Sequence, residues 1–434
     1  MSIFSGKRFA VVGLGRAGLP AAARLREFGA EVFVWDDNET SRQAASDFTV
    51  LRPSKVKGKL DAVVLSPGIA HERPEPHPEA AWALTKQVPI LTDAELLYQA
   101  VRGLGSKARF AGITGTNGKS TTTALLAHIL TVAGVPNAAG ANLGPAALSL
   151  PILPDDGVYV LEMSSYMLER IVTLRFDVAV MLNLSPDHLE RHGDMAGYAV
   201  AKREIFARQD EDCTAVIGID DPESREMAAW LHSCPARVVE ISGDDIQDLH
   251  VRTLPGKHNA QNTSAATAMA RALGVDWGAI AQGIASFPGL PHRQQEVALR
   301  AGVRFINDSK ATNADATSRA MGCYERFVWI AGGVAKAGGI DELEPFFPHI
   351  EKAFLIGQDG EAFAHRLSAA GVPNEIVGTL ERAVPAAFDA ADQCGVVLFS
   401  PAAASFDQFA NFEVRGERTT LNQFHHEVIR PHVV

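Results

Sequence analysis

Eight consecutive residues, Gly115, Thr116, Asn117, Gly118, Lys119, Ser120, Thr121 and Thr122, have the types and spacing to hold a phosphate chain. The run through Arg109-Phe110 reads as the end of a strand, and ALLAHILTVAG behind the loop has helical periodicity. Glycines between a strand and a helix let backbone N–H groups close on phosphate oxygens, while the helix N-terminus favours negative charge. Lys119 can then reach the terminal phosphates, and Ser120 or Thr121 can offer a hydroxyl to Mg²⁺. The loop is tighter than G-x-x-x-x-G-K, because position 113 is Ile and the glycine that serves is Gly115. An ordinary glycine turn would have no need of Lys-Ser-Thr.

Three further groups follow in the same stretch. Glu162 ends the apolar run GVYVLE, and an acid at a strand's carboxyl end beside a phosphate loop is placed to hold Mg²⁺ directly or through water. The competing reading is a capping or surface glutamate. FDVAVMLNL runs similarly into Asp187-His188; a lone histidine is more often structural, but closeness to the Glu162 strand favours a ligand. Lys202, in GYAVAKREIF, reads by itself as a surface lysine on an amphipathic helix. Asn259 and Asn262 lie one helical turn apart and can face one ligand, with helix capping as the competitor for Asn259.

The elements that position these groups alternate between strand and helix. A strand from Lys7 meets the turn Gly13–Gly18, which contains Gly15, Arg16 and Ala17, and EVFVWDD ends on Asp36-Asp37. That is where a dinucleotide-binding unit places its ribose acid, although the same turn serves any doubly wound unit that brings an anion to a helix. DAVVL leads to Ser66-Pro67-Gly68 and a proline-rich loop, and Asn142 sits in a second glycine turn, Gly140–Gly144. Pro288, Gly289 and Pro291 mark a linker ahead of His292-Arg293. Beyond it, polar or small turns follow apolar strands at Asp308-Ser309-Lys310, at Lys336 and before Ser405. The pattern predicts an α/β chain of three domains, 1–96, 97–290 and 291–434, the first and last doubly wound and the central one built on the phosphate loop.

Composition narrows the classes. Of 434 residues, 47% are hydrophobic and 21% charged, enough for a core in each domain, and a formal charge of −11 argues against a general nucleic-acid binder. No run approaches the ~18 apolar residues of a membrane span, and no cleavable segment precedes the first strand. The four cysteines, Cys213, Cys234, Cys323 and Cys394, show no metal or disulfide spacing. A cytoplasmic protein is expected, with no nucleic-acid or membrane partner.

With GTNGKSTT, LEMSSYMLE, NLSPDHLERHG, AKREIF, GKHNAQN, LPHRQQEV, INDSKATN and SPAAASFDQFANFEVRG in one order, the chain resembles the Mur ligases over essentially its whole length. The resemblance implies Rossmann-like first and last domains around a P-loop-type ATPase domain, in a monomer. It also implies an ATP-driven ligation of D-glutamate to UDP-N-acetylmuramoyl-L-alanine through an acyl phosphate, in peptidoglycan precursor synthesis. Residue by residue, it assigns Ser120 and Glu162 to one Mg²⁺, and His188 with an N-carbamylated Lys202 to a second. Asn259, Asn262, Arg293 and Asp308 go to ATP alongside the loop. Gly15, Arg16, Ala17, Asp36, Ser66, Pro67, Gly68, Asn142 and His188 go to the UDP substrate. Lys310, Thr312, Lys336, Ser405, Phe406 and Phe412 go to glutamate, with Lys119, His188, Lys202 and Lys310 as the catalytic set.

Two departures bear on the acceptor. Gly332-Gly333-Val334-Ala335-Lys336 stands where relatives carry Gly-Gly-Asp-Gly-Lys, and Phe406 replaces a leucine beside Ser405, so L-glutamate stays open as the acceptor. A folate-extending ligase is a second alternative, disfavoured by the dinucleotide-like N-terminal region. A nicotinamide-dependent oxidoreductase built on Gly13–Gly18 and Asp36 would leave everything after Gly115 unexplained.

Overall fold

A computed structural model of the chain describes residues 2–245, 253–336, 338–391 and 395–421. Cys394 lies outside them, and the other three cysteines are free thiols. The first sheet comprises β1 (Arg8–Val12), β2 (Glu31–Trp35), β3 (Thr49–Val50), β4 (Ala62–Leu65) and β5 (Ile90–Leu91). All pairs are parallel, in the order β3-β2-β1-β4-β5. After β1 the chain builds outward on one side and then returns to the other, so the turns behind β1 and β4 flank a crevice at the reversal. Such switch points are where open α/β sheets bind ligands.

The second sheet comprises β6 (Arg109–Thr114), β7 (Asn137–Ala141), β8 (Val158–Glu162), β9 (Val178–Met181), β10 (Thr214–Gly218) and β11 (Arg237–Ile241). It is also parallel throughout, ordered β11-β10-β9-β6-β8-β7. Register carries the chemistry here: Glu162 on β8 lies opposite Ile113 on β6 and Ala141 on β7. The acid therefore emerges level with the phosphate loop and with the turn holding Asn142. Strands β8 and β9 are buried along their whole length, as expected of parallel strands covered by helices on both faces.

These two sheets belong to one compact unit, Met1–Leu249 with Asn259–Phe287. One apolar core runs through both, from Phe9 and Val11 to Phe110 and Tyr159, the last two rings stacked at 4.8 Å. A buried carboxylate joins them as well. Glu95, on the helix Asp93–Gly103, accepts the backbone N–H groups of Val172, Thr173 and Leu174, the Thr173 hydroxyl and the Gln99 amide. Burial opposes the charge on Glu95, but these donors hold its pKa below the ordinary value.

The second unit, His250–His258 with Pro288–Val434, holds the third sheet. Its strands are β12 (Gln295–Arg300), β13 (Val303–Asn307), β14 (Phe327–Gly332), β16 (Ile350–Ile356), β17 (Asn374–Gly378) and β18 (Val396–Phe399), with β15 (Val334–Ala335) and β19 (Ala403–Ala404) forming a separate antiparallel ribbon. The order is β12-β13-β18-β14-β16-β17, parallel except for β12. Among the described residues no helix is long and apolar enough to cross a membrane.

Candidate active site

The phosphate loop is held open by hydrogen bonds to the end of β9. The N–H of Thr116 donates to the Asn183 carbonyl at 3.0 Å, the N–H of Asn117 to Asn183 Oδ1 at 2.9 Å, and the Thr116 hydroxyl to the Ser185 carbonyl at 3.1 Å. Gly118 precedes the helix Lys119–Val132 in the left-handed region, at φ 85°. The Lys119 ammonium folds back on the carbonyls of Gly115 and Thr116 at 2.8 and 2.7 Å. It is thereby already inside the loop that would receive phosphate. Ser120, Thr121 and Thr122 are buried in the first turn of that helix. Asn259 and Asn262 are buried on one helix, and the Asn262 amide donates to Asn259 Oδ1 at 3.1 Å.

Beside the loop, Glu162 is 2% exposed. Asn142 Nδ2 donates to its Oε1 at 2.7 Å, whereas its Oε2 is buried with no hydrogen-bond partner. A buried carboxylate oxygen left in that state is costly unless a cation or a donor completes it. Asn142 also lines a cavity of about 520 Å³ at the switch point of the first sheet. Gly15, Arg16, Ala17, Asp36, Ser66 and Pro67 line this cavity too; Gly68 and His188 do not. Asp36 braces the glycine turn, accepting the N–H groups of Leu14 at 2.7 Å and Asn38 at 2.8 Å.

Lys202 is 1% exposed and donates from Nζ to the Gly115 carbonyl at 2.8 Å. The sequence pattern alone put this lysine on the surface; the helix Met195–Arg203 instead turns it into the core beneath the loop. Burial, reinforced by the positive charge of Lys119, pushes its pKa well below the ordinary value. Tyr198 underlies it, with Nζ 4.7 Å from the ring centroid. His188 is half-exposed and N-caps the helix Leu189–His192 with φ 52°, its Nε2 3.3 Å from Asp187 Oδ2. Among the described residues no three His, Cys, Asp or Glu side chains gather into a metal-binding group.

In the second unit, Asp308 follows β13. It accepts the Ser400 hydroxyl at 2.7 Å and the Gln294 N–H at 3.1 Å, and burial raises its pKa to about 7 against the opposing charge of Arg293. Lys310 Nζ lies 5.1 Å from the Phe412 ring centroid, while the Thr312 N–H donates to the Lys310 carbonyl. Lys336 lines a separate cavity of about 440 Å³ with Asp341, Asp359 and Arg366, and neither Lys310, Thr312 nor Ser405 reaches it. Ser405 is buried at 2%, and Phe406 beside it is 75% exposed. Phe406 lines neither this cavity nor the one in the first unit.

Several residues that organise these groups stand outside the candidate set read from the sequence. Arg415, 1% exposed, donates to the Ser309 hydroxyl and to the carbonyls of Ser309 and Ala403, tying the Lys310 loop to β19. Arg170 and Arg191 do similar work in the first unit. Arg170 forms a charged pair with Glu169 in sequence, ahead of the mostly apolar IVTL.

The arrangement unites, in the first unit, an anion-binding loop, an acid with one unpartnered oxygen, a buried amine whose pKa is pushed down and a nucleotide-sized cavity. A family model described as Mur ligase middle domain matches residues 113–253. The UDP-N-acetylmuramoylalanine--D-glutamate ligase of Paramagnetospirillum magneticum is 47% identical over 442 residues, covering 96% of each chain. The crystal structure of MurF from Acinetobacter baumannii is similar in fold, with a TM-score of 0.59 at 18% identity, covering 96% of this chain and 91% of that one. A folylpolyglutamate synthase from Mycobacterium tuberculosis, solved with ADP and AMPPCP, gives 0.56 at 18% identity, covering 79% and 98%.

Proposed function

The chain belongs to the Mur ligase family, and from that premise we propose that it joins D-glutamate to UDP-N-acetylmuramoyl-L-alanine at the expense of ATP. The observation that carries the reading is the Asn142–Glu162 contact: one side chain lining the nucleotide-sized cavity is bonded to the acid beside the phosphate loop. A substrate seated in that cavity can extend its far end toward a γ-phosphate held by the loop.

In the first step an oxygen of the alanyl carboxylate attacks the γ-phosphorus, and the bond to the departing ADP oxygen breaks. Two anions must approach, so Lys119 and the N-terminus of its helix neutralise charge where it accumulates. In the second step the glutamate nitrogen attacks the acyl carbon, loses a proton, and inorganic phosphate leaves. Lys310, with Thr312 and Phe412, is assigned to the incoming amino acid, since a lysine opposes a dicarboxylate well.

The residues present fit a divalent cation, because Glu162 Oε2 is buried and unpartnered beside the Ser120 helix. Bound there, it would supply charge neutralisation at the phosphate oxygens. Lys202 fits carbamylation for a related reason: a neutral amine is the form that adds CO₂, giving up a proton and becoming an anionic ligand, and burial favours the neutral form of this amine. With His188 it would hold the second cation.

The test is phosphate release from ATP with UDP-N-acetylmuramoyl-L-alanine and D-glutamate, L-glutamate or no amino acid. Release with D-glutamate is expected. Preference for L-glutamate would overturn the acceptor, and silence with both would overturn the ligation.

A further inference from the structure

We propose that a buried cluster built on Arg170, Arg191, Glu169 and His192 is a positioning device that makes binding in the UDP-substrate cavity and binding at the phosphate loop reinforce each other. The inference rests on the functional reading above and adds residues to it.

Arg170 is 2% exposed. Its Nη1 donates to the carbonyls of Leu65 at 2.9 Å and Ser66 at 3.1 Å, and its Nη2 to that of Ile69. Arg191 Nη2 reaches the same Ile69 carbonyl at 3.2 Å. These acceptors belong to the end of β4 and the turn behind it, whose Ser66, Pro67 and Ile69 line the cavity. Both arginines come from the other side of the site. Arg170 lies two residues beyond the short helix Ser165–Leu168, which starts three residues after Glu162. Arg191 lies in the helix that His188 caps.

The two short helices are themselves joined. His192 Nδ1 lies 3.0 Å from Glu169 Oε1, and its Nε2 lies 2.9 Å from the Ser165 hydroxyl. The His192 side chain is 1% exposed, and its ring stacks on Tyr166 at 5.7 Å. The segment behind Glu162, the segment behind His188 and the substrate turn are therefore fastened together by directional contacts.

Apolar packing would hold the same segments at lower cost. Burying two guanidiniums beside one carboxylate is unfavourable, and burial with the charge of Arg191 pushes the Arg170 pKa down to about 9. What the cluster adds is geometry: a planar fork reads several carbonyls in one orientation only, so the turn cannot shift without the helix. A ligand that orders the turn thereby orders Glu162 and His188, and one that orders those groups orders the turn. Coupling of this kind is reciprocal.

The experiment is calorimetric titration of Mg²⁺ with AMPPCP, a non-hydrolysable ATP analogue, into the full chain with and without saturating UDP-N-acetylmuramoyl-L-alanine. In the wild type the substrate is expected to tighten nucleotide binding by about fivefold or more. Arg170→Lys keeps the charge and loses the fork. It is expected to bind each ligand alone within about twofold of wild type while losing the enhancement. Ser165→Ala, which frees one end of His192 without burying a new charge, should weaken the enhancement and serves if Arg170→Lys does not fold. An enhancement that survives in both variants overturns the proposal, as does its absence from a wild type that binds both ligands and ligates D-glutamate. A wild type that does not bind the UDP substrate overturns the functional reading, and the coupling with it.

Discussion

Gly118 packs against Asn262 so closely that a β-carbon on the glycine would lie 2.1 Å from Asn262 Oδ1. The contact ties the tip of the phosphate loop to a helix more than a hundred residues later in the chain, and it explains why the loop tolerates no side chain there. Gly118→Ala meets both this clash and the left-handed φ of 85°. Strain of that kind costs about 1–3 kcal/mol. Thermal unfolding should show a destabilised protein, and phosphate release should fall by about a hundredfold as the loop deforms. An alanine variant with wild-type melting and turnover would mean that the loop relaxes freely around the new methyl.

Lys202→Ala is expected to abolish ligation, with partial recovery on adding acetate or formate, since a short carboxylate can occupy the space of the missing carbamate. The same position should show a carbamate carbon signal by NMR when wild-type protein is equilibrated with ¹³C-labelled CO₂. Full activity in the unsupplemented variant, or no signal in the wild type, removes the carbamate from the mechanism.

Asp308 gives a pH dependence of definite sign. Its carboxyl titrates near 3.8 in the unfolded chain and at about 7 in the folded one, so between these values the folded state binds the extra proton. Its contribution to stability is fully present below pH 3.8 and is lost as pH rises through 7, beyond which it changes no further. Asp308→Asn imitates the protonated acid, keeping an acceptor for the Gln294 N–H and gaining a donor for Ser400. The variant should lie closest to wild type in chemical denaturation below about pH 4 and exceed it by a margin that grows up to about pH 7. Parallel stability curves across that range would show that the buried carboxyl does not titrate there.

The strands that end in chemistry were readable because each is a short apolar run broken by Gly, Ser or Asp, and β1, β4, β6, β8, β9 and β13 lie where those breaks predict. Asn259 and Asn262 were legible as neighbours from their spacing alone. The edge strands were less visible. β3 and β5 are two residues long, β12 begins only four residues after Pro291 of the linker, and β15 and β19 exist only through pairing with each other. Lys202 could not be placed from periodicity, because a helix face that buries a lysine under a loop looks like one that exposes it. Arg170 and Arg415 were invisible for the same reason: their partners are backbone carbonyls, which leave no trace in residue type. Phe406, expected at the glutamate pocket, is largely exposed, a setting that residue type alone does not encode.

Glu95 has a consequence for how such a chain can be assembled and inherited. Its carboxylate is stabilised by N–H groups from the segment 172–174, far down the chain in the loop that leads into β9 of the other sheet. Cutting the protein after the helix Asp93–Gly103 would strip Glu95 of its donors and uncover the apolar core that both sheets share. The nucleotide-sized cavity is therefore not a portable module: it can be exchanged between proteins only together with the phosphate loop it serves.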